Sequence, residues 1–261
     1  MAHVSRLFIY PIKALDRVEV DRVTVLKSGA LKHDREFALF DASGHFVNGK
    51  RHDRVHALRS RFDLETRCVI VSAPSFAQAA TFQIDREQDA LATWMGEYFG
   101  FPVQIRQNLE QGFPDDTDSP GPTLISTATL ATIANWYPNL EETEVRLRFR
   151  ANIEIGDVPA FWEDQLFAAV NQTVAFQIGA VRFLGINPCQ RCVVVTRNSQ
   201  TGEADPSFQK IFAARRRETL PPWVDRSRFN HFYRLAINTR LPESEAGKTI
   251  ALGDEIKIQL C

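Results

Sequence analysis

Cysteine is scarce, with four in 261 residues. So few in so long a chain exclude a small disulfide-stapled scaffold. We read a reducing, cytoplasmic compartment in which thiols stay free for chemistry. Long apolar runs are absent. None approaches the roughly 20 residues that span a bilayer, so no membrane association is expected. Met1-Ala2-His3-Val4-Ser5-Arg6 lacks the basic start, apolar stretch and small-residue cleavage site of a signal peptide. Neither sign of charge is in surplus: 31 Lys and Arg against 32 Asp and Glu give a net charge of −1. That balance gives no bulk attraction to nucleic acid, and any anion site must come from a local basic cluster. No Gly-x-Gly-x-x-Gly follows a strand, no phosphate loop ends in Gly-Lys-Ser/Thr, and no regular βαβ alternation occurs, which argues against a nucleotide-binding parallel sheet. Internal repeats and low-complexity tracts are also missing.

What is present is rich in strand signals. The chain is 44 % hydrophobic and 24 % charged, an ordinary globular balance. Leu7-Phe8-Ile9-Tyr10 is an apolar run closed by Pro11. Val18 to Leu26 alternates imperfectly, as a half-buried strand does. Phe37 to Val47 reads as a hairpin around Asp41-Ala42-Ser43-Gly44. Cys68 to Val71 and Thr81 to Ile84 add strands, with Cys68 read as a core residue. Asp85 to Phe99 carries Leu91, Trp94, Met95 and Tyr98 at helical spacing, and Gly100 stops it. Asn108 to Thr123, with three prolines and Asp115, Asp116 and Asp118, breaks the pattern. It reads as a solvated linker or lid; as a hard-cation site it lacks the spacing and glycine of a calcium loop.

Beyond it, Ser126 supplies a hydroxyl cap for a helix running to before Pro138. Glu144 to Ile155 alternates as a strand, with Arg146, Arg148, Arg150 and Asn152 on one face. Thr173 to Ile186 reads as a hairpin. Val193-Val194-Val195-Thr196 reads as a strand, Pro206 to Arg217 as an amphipathic helix, and Phe232 to Arg240 as a strand. Thr249 to Ile258 closes the chain as a hairpin. The fold class expected is α+β, predominantly β, with barrels. The division is residues 1–107, a linker or lid at 108–123, and residues 124–261.

Two constellations carry chemistry. Cys189-x-x-Cys192 is open to several readings. A thioredoxin-like dithiol normally opens a helix, whereas a β-branched run follows here. A structural zinc needs four ligands, and no second pair exists, so Cys68, Cys261 or His231 would have to complete it. The pair can also be buried and inert. The sharper alternative is a single thiolate on a soft or cofactor-bound metal. The second constellation is basic: Lys13, Arg35, Arg146, Arg148 and Arg150 suit a phosphate, which guanidinium groups grip with paired hydrogen bonds. Arg215-Arg216-Arg217 reads as a solvated helix face.

Three separated stretches together resemble the MOSC superfamily, in particular members with a MOSC N-terminal β-barrel domain ahead of the MOSC domain, such as amidoxime-reducing components and their bacterial relatives. The first is Tyr10-Pro11-Ile12-Lys13 with the later Asp34-Arg35. The second is Asp118-Ser119-Pro120 through Ser126 to Leu130, then Arg148-Phe149-Arg150-Ala151-Asn152-Ile153. The third is Arg191-Cys192-Val193-Val194-Val195-Thr196 with Thr201-Gly202. They run in family order over nearly the whole chain. Ala14 departs from a usual serine, Ala151 from a usual proline, and Asn230-His231-Phe232-Tyr233 from an expected Phe-Gly pair.

The resemblance implies a β-barrel MOSC domain packed on an N-terminal β-rich domain, holding a molybdenum–molybdopterin cofactor. Cys192 would ligate the metal and carry catalysis. Lys13, Arg35, Ser126, Arg150 and Asn152 would bind the cofactor, with Cys189 a neighbour. The activity implied is reduction of a small N-hydroxylated substrate, with electrons from a separate flavin or iron–sulfur protein, since the chain shows no ferredoxin-type cysteine set. The alternative is a non-enzymatic cofactor or sulfur carrier using Cys192. The resemblance gives no role to nucleic acid, and no membrane anchor is recognisable.

Overall fold

The fold follows from period-2 apolar runs interrupted by four helices of 8 to 12 residues. A computed structural model describes residues 1–259. In chain order the first half holds β1 (His3–Ile9), β2 (Val18–Glu19), β3 (Arg22–Thr24), β4 (Phe37–Asp41), β5 (Arg59–Asp63), β6 (Cys68–Ser72), β7 (Ala80–Gln83), α1 (Gln88–Phe99) and β8 (Val103–Gln107). The second half holds β9 (Leu124–Ser126), α2 (Thr127–Ala134), α3 (Glu142–Phe149), β10 (Ile153–Gly156), β11 (Val174–Ile178), β12 (Val181–Gln190), α4 (Phe208–Glu218), β13 (Arg234–Arg240), β14 (Thr249–Ala251) and β15 (Ile256–Ile258). The molecule is predominantly β, as expected. No helix among the described residues is long and apolar enough to cross a membrane.

Eight strands form one sheet in the order β15-β11-β12-β13-β9-β10-β1-β2. The N-terminal strand β1 therefore pairs with β10 of the second half, antiparallel, with Leu7 opposite Ile153. The ladder does not close. Its ends are nonetheless drawn together: His3 bridges Glu255, Val4 N donates to Asp254 O at 2.9 Å, and Ile256 N donates to Ala2 O at 2.9 Å. The first half keeps its own three-stranded sheet β5-β6-β7 and the pair β4-β8. α1 covers a core that includes Phe37, Leu39, Val69, Val71, Leu91 and Met95. Gly100, at φ 82°, ends α1 in the left-handed region, where glycine carries no Cβ penalty. A further core joins α2, α3 and α4 through Ile133, Val145, Phe149, Phe208 and Phe212.

Several expectations are corrected. Residues 144–155 are not one strand: α3 runs to Phe149, and β10 starts at Ile153. Val145 and Phe149 are four apart and both buried, while Glu142–Arg146 and Glu144–Arg148 are i,i+4 ion pairs. That Glu-before-Arg spacing favours helix over the alternation it overlays. Residues 193–196 form a 3-10 turn, not a strand, because the chain leaves the end of β12 and turns under it. The strand that ends on Cys189 and Gln190, not one after Cys192, presents the motif. Val18 to Leu26 breaks into β2 and β3. β4 takes β8 as its ladder partner, while the expected turn back to residues 45–47 is present as a Phe40–Phe46 bridge, with Asp41 N donating to His45 O at 2.9 Å and Val47 N to Leu39 O at 2.8 Å. The closing hairpin separates: β14 pairs with β3 and β15 with β11. Cys68 is half-buried on β6. Arg216 is fully buried and ion-paired with Asp164 at 2.5 Å, so the arginine run is not wholly a solvated face. Cys261 lies outside the described residues.

Candidate functional site

The residues expected to act together converge on a cavity of about 730 Å³ at the seam between the halves. The first wall comes from the turn after β1. Tyr10 N donates to Asp34 Oδ1 at 2.8 Å, and Arg35 N donates to Tyr10 O at 2.7 Å. Asp34 also pairs with the Arg35 guanidinium. Asp34 thus ties the Tyr10-Pro11-Ile12-Lys13 turn to the arginine beside it. Lys13 is only 7 % exposed. Its ammonium donates to Phe113 O at 2.9 Å and to Asp115 Oδ1 at 2.5 Å.

The 108–123 stretch forms the second wall. Phe113 N donates to Arg35 O at 2.8 Å. Gly112 sits so close that a Cβ there would lie 2.5 Å from Asp34 O, a near approach that only glycine permits. Asp115 is therefore no free linker residue. Its side chain is largely exposed, and the charges of Lys13 and Arg35, with the Lys13 hydrogen bond, hold its carboxyl down at about 2. Burial pushes the Lys13 ammonium down, against the pull of Asp115.

The third wall is the end of α3. Arg150 caps the helix in the left-handed conformation, φ 52°. Its Nη2 donates to Leu15 O at 2.7 Å, its guanidinium lies 4.1 Å from the Tyr10 ring centroid, and no carboxylate among the described residues pairs with it. Ala14 and Arg35 also have positive φ, at 72° and 51°. Three non-glycine residues in this costly region line one cavity, a pattern typical of functional sites.

The fourth wall carries the thiols. Cys189 lies on β12, buried, and its Sγ donates to Asn238 Oδ1 at 2.7 Å. Burial pushes this thiol up to about 11, so it stands as a neutral donor. Cys192 lies just past the strand, extended at φ −104°, exposed, and on the cavity wall. Among the described residues no three His, Cys, Asp or Glu side chains gather as a metal-holding group. The four-ligand zinc reading and the hard-cation reading of the acidic triplet therefore find no set.

Five of the six expected site residues line this cavity: Lys13, Arg35, Arg150, Asn152 and Cys192. Asn152 is 1 % exposed and spends its amide internally, accepting from Thr123 N at 3.2 Å and donating to Phe8 O at 3.1 Å. It holds β1 and the 123 segment in place. Ser126 is placed elsewhere. It is fully buried, caps α2 by accepting from Thr129 N at 3.1 Å, and its hydroxyl meets Thr129 Oγ1 at 2.7 Å. Thr129 in turn donates to Glu163 Oε2 at 3.1 Å. Fully buried and bonded within its own helix start, Ser126 has no surface to offer a ligand.

The charge of the cavity is the feature that sequence reasoning underestimated. Ten Lys and Arg residues line it against four aspartates, in a chain of net charge −1. Of these, Arg17, Arg59, Arg191, Arg197 and Arg234 are not singled out by the sequence as phosphate-binding candidates, and only Arg191 falls within a motif. Each of these five carries a buried guanidinium nitrogen with no partner. A cavity so charged, with one exposed thiol, fits a phosphate-bearing anion whose other end takes a soft ligand.

The fold and site define a class, and comparison with known families identifies it: the chain belongs to the MOSC family. The MOSC N-terminal beta barrel domain matches residues 1–102, and the MOSC domain matches residues 123–257. Among curated relatives, molybdenum cofactor sulfurase of Homo sapiens is 24 % identical over 81 % of this chain and 28 % of its own length. The sulfurase of Caenorhabditis elegans is 23 % identical over 78 % of this chain and 30 % of its own. Mitochondrial amidoxime reducing component 2 of Bos taurus is 25 % identical over 77 % of this chain and 68 % of its own length. The chain thus spans under a third of these sulfurases.

Proposed function

We propose that this chain binds a molybdenum–molybdopterin cofactor and is a cytoplasmic oxidoreductase that reduces N-hydroxylated compounds with electrons from a separate flavin or iron–sulfur protein. The observation that carries this reading is the exposed Cys192 thiol on the wall of a cationic cavity that also gathers Lys13, Arg35 and Arg150. The names of the curated relatives support it from a second direction. Residues 1–107 and 124–261 act as two halves, with 108–123 as the rim between them.

The cofactor, when bound, would supply two-electron and oxygen-atom exchange. The chain's own residues have the remaining tasks. Lys13, Arg35 and Arg150 neutralise the phosphate, and Cys192 supplies the thiolate ligand. Asn152 fixes the wall without touching the ligand. Val194 and Val195 line the cavity beside the thiol and exclude water. In the overall reaction the N–O bond of a hydroxylamine breaks, two electrons and two protons enter, and an amine and water leave.

Elemental and pterin analysis of protein made in a cofactor-competent host tests this reading. About one molybdenum per chain is expected in the wild type and none in Cys192→Ala. Metal-free wild-type protein from that host sinks it. Reduction of a hydroxylamine with a supplied iron–sulfur donor is the activity arm.

A second reading rests on the exposure of the same thiol and on the sulfurase relatives: Cys192 carries sulfur as a persulfide. Metal-free protein bearing labile sulfur at Cys192 would favour it.

A further inference from the structure

The cavity holds more unpaired positive charge than one phosphate accounts for. Of its lining cations, Lys13, Arg35, Arg59 and Arg148 have carboxylate partners. Arg17, Lys50, Arg150, Arg191, Arg197 and Arg234 have none among the described residues. A phosphate dianion matches about two such charges, which leaves a surplus. Like charges crowded into a partly enclosed site repel one another, and they are kept where an anion comes to meet them.

The placement of the surplus shows what it faces. Three of the unpaired arginines lie close to Cys192 in the chain or across the strand ladder, and all three line the cavity with it. Arg191 precedes it directly. Arg197 ends the 3-10 turn that Cys192 begins. Arg234, on β13, pairs in register with Gln190, two residues before the thiol. Arg191 turns inward, donating to Phe149 O at 2.5 Å. Arg197 and Arg234 are held by weaker ties. Arg197 Nη1 donates to Gly202 O at 2.8 Å; Arg234 donates to Pro188 O at 3.2 Å and to Asn230 Oδ1 at 2.9 Å. Each leaves its Nε without a partner. These contacts orient the guanidinium groups but come from neutral oxygens, and leave each charge without a carboxylate.

The same corner receives the first half of the chain. Arg59 Nη2 donates to Ser199 O at 3.2 Å, and a Cβ on Gly202 would lie 2.8 Å from Asp53 O. His56 lines the cavity there, with the charges of Arg197 and Arg59 close enough to hold its imidazole below the usual histidine range, burial being the larger cause. A neutral imidazole and two arginines form a rim that an oxyanion would complete.

We propose that the substrate handled at Cys192 is anionic: a small N-hydroxylated molecule carrying a carboxylate or phosphate group, which Arg197 and Arg234 grip while its nitrogen faces the thiol end of the cavity. This rests on the reductase reading above and adds the substrate class. Arg197 and Arg234 are specificity-determining residues, because a neutral substrate leaves both guanidinium groups unmatched.

The test compares N-hydroxyglycine with N-ethylhydroxylamine, which differ in one carboxylate, on cofactor-loaded protein. Without reductant there is no turnover, and isothermal titration reads binding alone. The anionic probe should bind about tenfold or more tightly than the neutral one, and with a donor present its kcat/KM should exceed the neutral one's by a similar factor, mainly through KM. Arg197→Gln and Arg234→Gln should each bring both ratios toward one, and Arg197→Lys should restore part of the preference. Equal binding of the two probes, or ratios unmoved in both glutamine variants, overturns the proposal. Arginine-dependent binding of N-hydroxyglycine with no reduction of either probe sinks the reductase reading and leaves the anionic ligand class standing. Should Arg197→Gln fail to fold, Arg234→Gln, on β13, decides alone.

Discussion

Arg150 Nη2 donates to the Leu15 carbonyl oxygen at 2.7 Å, joining the end of α3 to the turn after β1. The residue sits in the left-handed region at φ 52°, which costs a side-chain-bearing residue roughly 1–2 kcal/mol. Glycine at this helix end would remove that strain. Burial and the nearby Arg35 also disfavour the Arg150 charge. Arg150→Gly loses one charge-assisted hydrogen bond, worth about 1.5–3 kcal/mol. Gain and loss nearly cancel, so urea unfolding should put the variant within about 1 kcal/mol of wild type. Retention of cofactor or of inorganic phosphate should fall by about tenfold or more. A variant that unfolds easily yet binds normally would show that Arg150 serves the fold alone.

The two cysteines of the motif should separate in their chemistry. Only the thiolate attacks an alkylating agent. Burial holds Cys189 at about 11, so at pH 8 about one part in a thousand is ionised, and its sulfur is shielded besides. Cys192 is exposed. Iodoacetamide at pH 8 should label Cys192 within minutes and Cys189 only after denaturation, as read by peptide mass spectrometry. Equal rates at the two positions would contradict the placement of Cys189 against Asn238.

Glu163 makes the fold sensitive to pH. It is 1 % exposed. Burial, with the neighbouring Asp164 adding to it, raises its carboxyl from 4.5 to about 7. Because the folded state holds this proton more tightly than the unfolded chain, its contribution to stability is full below pH 4.5. It is lost as pH rises through about 7. Glu163→Gln keeps an acceptor for Thr129 and removes the titration. Between pH 5 and pH 8 the wild type should lose about 2 kcal/mol more than the variant. Parallel urea midpoints across that range would remove Glu163 from the account.

Much of this architecture is legible in the residues, and the failures share a cause. Apolar runs and stops placed α1, the β11–β12 hairpin and the Ser126 cap, because local chemistry alone decides them. The segment from Glu144 to Ile155 misled because Val, Leu and Phe at alternate positions satisfy a strand, while the Glu142–Arg146 and Glu144–Arg148 spacings beneath that alternation favour a helix. The valines after Cys192 are β-prone, yet the chain must turn there to leave the sheet. Lys13, Arg35, Arg150 and Cys192 stand out by their motifs. Arg197 and Arg234 do not, since the 3-10 turn after Cys192 places the first and the register of β13 on β12 places the second. Ser126 shows the converse. It caps the helix as its position before an apolar run suggests, and its hydroxyl is engaged there.

Gly185 tests the packing that carries the motif strand. A Cβ built there would lie 1.6 Å from the Leu166 carbonyl oxygen. That is far inside van der Waals contact, and backbone cannot swing aside as a flexible side chain can. Gly185 pairs with Val174 on β11 and with Thr239 on β13, so neither strand can yield without breaking ladder bonds. Leu166 is itself fully buried and ends the 3-10 turn holding Glu163 and Asp164. Gly185→Ala must push that turn away from the sheet, loosening Asp164 from Arg216. The expected loss is about 3 kcal/mol or more, in the class of core overpacking against fixed backbone. Thermal unfolding of the variant beside Gly247→Ala reads the effect. Gly247, at φ 81° with nothing within 4 Å, pays only the left-handed cost of roughly 1–2 kcal/mol. A Gly185 variant as stable as the Gly247 one would mean that β12 does not pass under Leu166 as described.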